Sequence, residues 1–496
     1  MYSSVTSCTL VGVVPRLVRI EATVSHAKQG SFSIVGLPDT VVRESRERVR
    51  SAIKEQGFRF PRGRVVVNLS PADLPKLGST FDLPIALSIL AASSETPLDF
   101  SAYVCVGELS LSGQVEPVRA ALGATLLADQ LTRSCMLAAS SEVVAPAKAD
   151  LVGVASLRHA VDVATGRTQA NHLSAMEAVV QRPGLDMAEI RGNRQARRAI
   201  EIAAAGGHHM LMVGPPGAGK TMLARALAGI LPPLLSDEMR EIALIHAAAN
   251  VHDPNPYVPP FRAPHHSASI AALIGGGSGI PTPGEVSLAH RGVLFLDELG
   301  EFPPSVLDAL RQPIEQGEIV IARQAATVTF PSRIQIVAAS NPCPCGNLDD
   351  SRLPCSCSES KLDRYRARLS GPFLDRIDMR LAVTRLAASE LVSERGEASE
   401  PIRERIIRAR VIQVGRGGLN RELSRDQLDV LPVTDAAQRI LVKAADTDVM
   451  TGRGWERIRK LSRTIADLSG SETVVTEHID EAMDLRGSGA VRRSAA

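Results

Sequence analysis

Residues 209–221 read HMLMVGPPGAGKT, and this stretch decides the fold of the middle of the chain. The apolar run at 210–213 predicts a buried strand, the glycines after it predict a tight turn, and 222–230 predicts a helix. A strand, a glycine-rich turn and a helix in this order, with GxxxxGKT spacing, are typical of a phosphate-binding loop. Nucleotide contacts are therefore predicted for Gly214, Pro215, Pro216, Gly217, Ala218, Gly219, Lys220, Thr221 and Met222.

The residue types in this loop suit phosphate chemistry. Its glycines let backbone N–H groups converge on phosphate oxygens, and the N-terminus of the following helix adds the positive end of its dipole. The Lys220 ammonium can reach the β- and γ-phosphates, and the Thr221 hydroxyl can ligate Mg²⁺. The loop therefore predicts a site for a nucleoside triphosphate with its Mg²⁺ ion.

Two further apolar runs end in polar side chains. The run at 293–296 leads into Asp297 and Glu298, and the run at 334–339 leads into Ser340 and Asn341. Opposite a phosphate-binding loop, Asp297 can hold the Mg²⁺ shell, while Glu298 can orient and polarise a water for attack on the γ-phosphate. Asn341 is placed to hold that water. Together these residues predict a nucleoside triphosphate hydrolase.

Composition limits the choice of partners. The net charge of +2 permits a nucleic-acid partner without demanding one, since nucleic-acid binders are often far more basic. Because only 3% of residues are aromatic, any nucleic acid would be held chiefly through its backbone. There is no apolar run of about 18 residues and no basic stretch before an apolar core at the N-terminus. We therefore expect a cytoplasmic protein without a membrane partner. Seven cysteines, an odd number, also favour a reducing compartment.

A chain of 496 residues suggests about three domains, and the predicted fold class is α/β. Alternating strand and helix patterns predict an α+β N-terminal domain over 1–165. A polar linker is predicted over 166–185, followed by a P-loop ATPase core over 186–386. Helical patterns over 387–496 predict an all-α lid domain.

Two N-terminal passages resemble the proteolytic domain of Lon-type proteases: PKLGST at 75–80 and the stretch 107–117. The serine nucleophile of that family falls on Thr80, and its lysine falls near Leu122, in a stretch without lysine. A hydroxyl without a base stays inactive as a nucleophile. We therefore expect a Lon-like fold without proteolysis that contacts a substrate or docks a subunit.

Two clusters raise the question of a second metal. Cys343, Cys345, Cys355 and Cys357 could close a tetrahedral zinc site, although paired zinc ligands usually stand two to four residues apart. Structural zinc and reduced thiols that brace a loop both stay open. The pair His265 and His266 is a weak metal candidate, because adjacent side chains in a strand point apart. We interpret 250–284 as a pore or substrate loop.

The motifs follow one another in a familiar order. They are GPPGAGKT at 214–221, LFLDEL at 294–299, AASNPCPCG at 338–346 and SGPFLDRID at 370–378, followed by RTIADL at 463–468. Together with the Lon-like N-terminal region, they resemble the YifB/ComM family of magnesium-chelatase-like AAA+ ATPases over nearly the whole chain. The N-terminal region and the Cys-x-Cys-Gly passage are the specific parts, since many ATPases share the others.

The resemblance implies a ring, expected to be a hexamer, with ATP at each subunit interface. Asn341 matches the sensor-1 position, and Arg376 matches the arginine finger supplied to the neighbouring subunit. Arg453 is our choice for sensor 2, with Arg457 and Arg463 as alternatives. With Lys220 and Glu298, these residues make up the predicted catalytic set. GNRQ at 192–195 departs from the expected Gly-Gln pair, which leaves the adenine contact open.

The resemblance also implies a function. ComM proteins are implicated in branch migration of DNA during natural transformation, so the expected role is DNA remodelling, as a helicase or translocase, driven by ATP hydrolysis. The alternative is a chelatase-type ATPase subunit that remodels a protein or metal-insertion partner. The N-terminal region and the cysteine cluster count against that alternative, because the chelatase subunits it resembles lack both. An intact Glu298 counts against a third reading, a regulatory ATP-binding scaffold.

Overall fold

The structure is a computed structural model. It describes residues 1–27, 30–76, 78–143, 148–174, 185–251, 257–277, 279–323, 326–348, 353–369, 371–387, 390, 395–446 and 451–486. The strands are β1 Tyr2–Val11, β2 Val14–Ser25, β3 Ser31–Val35, β4 Arg64–Ser70, β5 Tyr103–Cys105, β6 Glu108–Leu109, β7 Val115–Glu116, β8 Ser134–Ala138, β9 Leu151–Val154, β10 Asn171–His172, β11 Met210–Val213, β12 Phe261–Arg262, β13 Gly275–Gly276, β14 Thr282–Pro283, β15 Val293–Leu296, β16 Glu318–Ala322, β17 Thr327–Pro331, β18 Gln335–Ser340 and β19 Met379–Ala382.

The helices of the described residues follow the same order. They are α1 Thr40–Glu55, α2 Asp82–Ser93, α3 Ala121–Leu131, α4 Leu157–Ala164, α5 Arg194–Gly206, α6 Lys220–Ile230, α7 Ser236–Ala249, α8 Ile270–Ile274, α9 Glu285–Leu288, α10 Pro304–Ala309, α11 Arg311–Gln316, α12 Glu359–Arg368, α13 Gly371–Leu374, α14 Ser399–Gly415, α15 Arg425–Asp429, α16 Asp435–Asp446, α17 Gly452–Leu468 and α18 Thr476–Leu485. Within these ranges, no helix combines the length and the apolar character that crossing a bilayer requires.

The N-terminal part is built on an eight-stranded mixed sheet in the order β10-β9-β8-β5-β1-β2-β4-β3. Its central hairpin, β1 and β2, is antiparallel, whereas β5, β8 and β9 add to it in parallel. Helix α2 packs on this sheet and is buried along most of its length, which explains why its sequence is apolar on every face. The predicted mixture of strands and helices is confirmed here, and the Lon-like character of the region stays a prediction.

The positions expected for protease chemistry hold structural contacts. Thr80 and Leu122 are both buried, and Leu122 lies in an apolar cluster. The neighbouring Ser79 hydroxyl donates to a carboxylate oxygen of Glu108. Lys76 is fully buried and its ammonium donates to the carbonyl of Pro71. The absence of proteolysis, and a role in contacting a substrate or docking a subunit, stay predictions.

The middle part is a five-stranded parallel sheet in the order β12-β15-β18-β11-β19. Strands β11, β15 and β18 are almost completely buried, because helices cover a parallel sheet on both faces and its strands become continuous apolar runs. Strands β11 and β15 have the predicted bounds. The parallel sheet of a P-loop ATPase-type core is therefore confirmed, and all five strands end at the same edge.

The C-terminal part, residues 395–446 and 451–486, is helical where it is described. Helix α17 buries Ile458, Leu461 and Ile465 in a cluster that also includes Ile200 and Ala203 of α5. These helices therefore pack against the helix that precedes the P-loop strand. Their role as a lid stays a prediction.

The predicted domain boundaries are untested, and the structure adds one detail to them. Strand β10 pairs with β9 in antiparallel fashion, so the N-terminal sheet extends past residue 165. Residues 175–184, which make up half of the predicted linker, lie outside the described residues.

The N-terminal part docks on the core through the tight turn between β1 and β2. Val11 and Val13 of this turn pack against the core cluster that contains Val328 and Phe330. Gly12 between them has a φ of +62°, and a Cβ atom built on it would lie 2.1 Å from Cγ1 of Val328. The turn and the hairpin β16–β17 therefore fit together closely enough to exclude a methyl group.

We predict that Gly12→Ala lowers the thermal unfolding midpoint more than Gly166→Ala does. Both glycines have a positive φ, but a Cβ atom at Gly166 meets nothing within 4 Å, so this control isolates the clash with Val328. Overpacking costs about 1–3 kcal/mol, which in a chain of this length corresponds to a difference of about 1–3 °C between the two variants. Equal midpoints by scanning calorimetry would show that the docking turn tolerates the added methyl group.

Candidate active site at the carboxyl edge of the parallel sheet

The phosphate-binding loop connects β11 to α6 at the carboxyl edge of the sheet. Gly219 has a φ of +87° and precedes the first helical residue, Lys220. The left-handed conformation costs glycine little, and it lets the chain turn directly from the loop into the helix. The N-terminus of α6, with its unpaired N–H groups, therefore lies at the end of the loop, where a phosphate would be stabilised.

Lys220 connects the loop to the neighbouring strand. Its Nζ donates to the carbonyls of Gly214 at 2.6 Å and Pro215 at 3.0 Å, and to Oδ1 of Asn341 at 3.1 Å. Burial lowers the pKa of Lys220, and the nearby carboxylates of Asp297 and Glu298 act in the opposite direction. The ammonium is thus held among oxygen acceptors, which phosphate oxygens can replace.

Thr221 and Asp297 meet across the gap between α6 and the end of β15. The Thr221 hydroxyl donates to Oδ2 of Asp297 at 3.0 Å. Mg²⁺ is usually held by one or two protein oxygens together with phosphate oxygens and waters. A hydroxyl and a carboxylate at this separation are a donor set that suits Mg²⁺.

Glu298 has an unusual backbone. Its φ is +52°, in the left-handed region that residues with a side chain seldom adopt, and its N–H donates to Oδ1 of Asp297 at 2.9 Å. Such conformations cluster at functional sites, where the surrounding structure maintains them. The turn sends the chain out of the buried strand and leaves the Glu298 side chain 54% exposed.

The structure adds His266, which the sequence analysis did not assign to this site. Its Nδ1 lies 3.1 Å from Oε2 of Glu298, while the neighbouring His265 instead contacts Ser267. The two rings lie close together, with centroids 4.1 Å apart, and do not point apart as they would in a strand. A metal at this pair stays a weak candidate. His266 follows β12, the strand next to β15, and only this strand order, which the sequence did not predict, places it at the same edge.

The candidate arginines have different surroundings. Arg463 is buried and bonds to Asp467 and to two backbone carbonyls, and Arg457 lies 3.3 Å from Asp378. Arg453 is exposed and makes no hydrogen bond or ion pair with any residue that the structure describes. Arg463 and Arg457 are therefore engaged within the fold, whereas the Arg453 side chain is available to a ligand.

Arg376 and Arg453 line the same cavity, which has a volume of about 230 Å³. Arg376 is largely buried there and forms an ion pair with Glu315. None of the phosphate-loop residues lines this cavity. The two arginines are thus close to each other, and the cavity between them is separate from the loop of their own chain.

The departure from the expected Gly-Gln pair lies at the start of α5. Asn193 caps this helix by accepting a hydrogen bond from the N–H of Ala196 at 3.3 Å. Arg198 of the same helix pairs with Glu481 at 2.9 Å, and Arg197 donates to the carbonyl of Glu397. Both arginines therefore join α5 to C-terminal residues.

The four clustered cysteines lie close to the loop and bring their sulfur atoms together. All four Sγ atoms are within 4.8 Å of one another. Backbone N–H groups of Asn347 and Ser356 bond to the sulfur of Cys345 and lower its pKa to about 5. The sequence left zinc and reduced thiols open, and this gathering of sulfurs is geometry that a metal site requires.

Family models match the three parts of the chain. The model described as Magnesium chelatase, subunit ChlI matches residues 186–391, which contain the parallel sheet and its loop. The model described as Subunit ChlI of Mg-chelatase matches residues 20–141. The model described as Magnesium chelatase, subunit ChlI C-terminal matches residues 396–486.

Similar proteins extend over the full length. Competence protein ComM of Haemophilus influenzae is 43% identical over 96% of this chain and 96% of its own length. Protein YifB of Salmonella typhimurium, an uncharacterized protein, is 40% identical over 96% of this chain and 95% of its own length. The magnesium-chelatase 38 kDa subunit of Cereibacter sphaeroides is 27% identical over 31% of this chain and 51% of its own length.

The sheet and its loop thus define a P-loop ATPase-type core, and the matches refine that class. The chain belongs to the YifB/ComM family of magnesium-chelatase-like AAA+ ATPases. Membership of this family implies ATPase activity and the use of ATP with Mg²⁺. The expectation drawn from the motifs is confirmed at this level.

We predict that Glu298→Gln lowers kcat for ATP hydrolysis by roughly a hundredfold or more, because an amide cannot accept the proton of the attacking water. ATP affinity, measured by titration calorimetry, should change little. Glu301→Gln is the matched control, since Glu301 lies three residues further on and pairs with Arg368 at the surface. Turnover near the wild-type rate in Glu298→Gln would remove Glu298 from the catalytic set.

Proposed function

We propose that this chain assembles into a ring, expected to be a hexamer, and couples ATP hydrolysis to the remodelling of DNA. The specific activity we propose is branch migration of joint DNA. The proposal of ATP hydrolysis is supported by one observation above all. Five side chains meet at one edge of the sheet: Lys220, Thr221, Asp297, Glu298 and Asn341. We place the protein in the cytoplasm, where ATP and chromosomal DNA are both available.

Each of these side chains has a role in the proposed reaction. Lys220 exchanges its contacts with loop carbonyls for oxygens of the β- and γ-phosphates. Thr221 and Asp297 hold Mg²⁺, which neutralises charge on those phosphates when bound. Glu298 accepts a proton from the attacking water, and Asn341 orients that water while it remains within reach of Lys220. His266 is a positioning residue that fixes the Glu298 carboxylate.

We further propose that each ATP site is completed by the neighbouring subunit. Arg376 serves as the arginine finger and Arg453 as the sensor-2 residue. Two observations support a joint role for these arginines in the neighbouring subunit's site. Both line one cavity, and no phosphate-loop residue of their own chain lines it. A transition-state arginine contributes about 10³–10⁵ in rate, so sharing the site makes hydrolysis depend on assembly.

The DNA part of the proposal depends on relatives. Competence protein ComM covers this chain almost end to end, whereas the chelatase subunit aligns with 31% of it. A net charge of +2 permits DNA as a partner without requiring it, and few aromatic residues mean that any DNA would be held chiefly through its phosphate backbone. The alternative, a chelatase-type subunit that acts on a protein or metal-insertion partner, makes no use of DNA.

The test is steady-state ATP turnover with a four-way junction, duplex or single-stranded DNA at one fixed low salt concentration. We expect the junction to stimulate turnover the most, because it is the structure on which branch migration acts. Stimulation should weaken as salt rises, since phosphate contacts release counterions. A labelled junction in the same reaction should be converted to its branch-migrated products only in the presence of ATP.

Lys220→Ala is the control for this test and should abolish both turnover and conversion of the junction. Turnover that is indifferent to every DNA would contradict the DNA proposal and favour the chelatase-type alternative. Stimulation by single-stranded DNA alone would contradict branch migration and favour translocation along one strand.

A further inference from the structure

The connection between β18 and α12 carries two Cys-x-Cys pairs. The first pair, Cys343 and Cys345, begins two residues after Asn341, and the second pair, Cys355 and Cys357, ends two residues before α12 starts at Glu359. Residues 349–352 between the pairs lie outside the described residues. A link between the two pairs would therefore connect the end of β18 to the start of α12.

The sulfur positions match those around a tetrahedral metal ion. Sγ of Cys343 lies 3.3 Å from Sγ of Cys345 and 3.7 Å from Sγ of Cys355. The sulfurs of Cys345 and Cys355 are 3.6 Å apart. Four thiolates at about 2.3 Å from a zinc ion stand about 3.8 Å from one another. A disulfide needs about 2.05 Å between its sulfurs, so these separations suit a metal better.

Backbone groups around the sulfurs support the same assignment. The N–H of Leu348 donates to Sγ of Cys343 at 3.3 Å. Such N–H bonds stabilise the negative charge of metal-bound thiolates and orient them. Cys343 is buried and the other three cysteines are partly exposed, so a metal ion could enter from solvent.

This cluster also touches the nucleotide site on two sides. Gly346 follows the first pair with a φ of +81°, and a Cβ atom on it would lie 2.5 Å from Cδ of Pro216 in the phosphate loop. On the other side, the Tyr365 hydroxyl of α12 lies 3.0 Å from Oγ of Ser340 and 3.0 Å from the carbonyl oxygen of Asn341. The cysteine connection therefore packs on the loop through Gly346, and the helix that it leads into holds the backbone of Asn341 through Tyr365.

We propose that Cys343, Cys345, Cys355 and Cys357 bind one Zn²⁺ ion, and that this ion fixes the positions of Asn341 and the phosphate loop for ATP turnover. With the metal in place, α12 and the end of β18 form one rigid unit. Without it, Tyr365 and Gly346 lose their fixed positions, and Asn341 is no longer held where it orients water. The metal is structural and does not contact the substrate.

The assignment of the metal site does not depend on the proposed function. The expected effect of the metal on ATP turnover does rest on the proposed function. The first measurement is therefore metal content by plasma mass spectrometry of the full chain, purified without chelator. We expect one zinc ion per chain in the wild type and in Cys105→Ala, whose cysteine is buried in β5. Cys345→Ser should lose the metal. Iron in place of zinc, or no metal in the wild type, would overturn the assignment.

The state of the thiols provides a second measurement that does not require a variant. In the folded wild type, the four clustered thiols should resist a disulfide exchange reagent until a strong chelator is added, and released zinc should appear at the same time. Immediate reaction of all four thiols would show a metal-free cluster. Failure to react even after denaturation would show disulfides, and either result overturns the proposal.

The effect on turnover follows from the geometry. A misplacement of about 1 Å at a reacting group can cost roughly 10²-fold in rate, so we expect metal loss to lower kcat by about tenfold to a hundredfold. The Kd for ATP should change much less, because Lys220 remains in the loop. Returning Zn²⁺ to chelator-treated wild type should restore kcat, which avoids dependence on a variant that folds poorly.

The Gly346→Ala variant tests the contact with the phosphate loop while it leaves the metal ligands unchanged. This variant keeps all four thiols and should retain zinc, but its added methyl group must displace Pro216, so kcat should fall.

Zinc loss without any change in kcat would contradict the link to turnover. Zinc in a wild type that hydrolyses no ATP would contradict the proposed function and leave the metal site standing.

Discussion

Five parallel strands that end at one edge are the constraint on which the rest of this molecule depends. Parallel strands place their carboxyl ends together, so residues far apart in sequence become neighbours there. Lys220 bonds to Asn341 and Thr221 bonds to Asp297 for this reason, and Glu298 leaves its strand through a left-handed turn. The active site is therefore a property of strand order as much as of the individual residues.

The other parts of the chain are attached to the core through a few close contacts. The turn at Gly12 inserts against the hairpin β16–β17 of the core, so the N-terminal part is attached to an element of the ATPase. The C-terminal helices pack on α5 and carry Arg453 to the cavity of Arg376. The cysteine connection lies against Pro216.

The sequence predicted best where a local pattern determines the structure. Strands β11 and β15 had the expected bounds, because buried parallel strands are short continuous apolar runs between recognisable motifs. Strand β12 has two residues and no such pattern, so the position of His266 beside Glu298 could not be derived. The contact between Gly12 and Val328 joins distant parts of the chain and has no local signal. The cysteine spacing left both a zinc site and reduced thiols open. Only the fold shows that the second Cys-x-Cys pair lies against the first, so that the four sulfurs meet.

The central claim is that ATP is hydrolysed at this edge in a site shared by two subunits. The most direct measurement is ATP turnover after mixing Glu298→Gln chains with Arg376→Ala chains before assembly. Each variant alone should be nearly inactive, and the mixture should regain turnover, because some sites then combine an intact Glu298 with a neighbour's intact arginine. A mixture of Glu298→Gln and Lys220→Ala chains should stay inactive. A first mixture that also stays inactive would contradict the shared site.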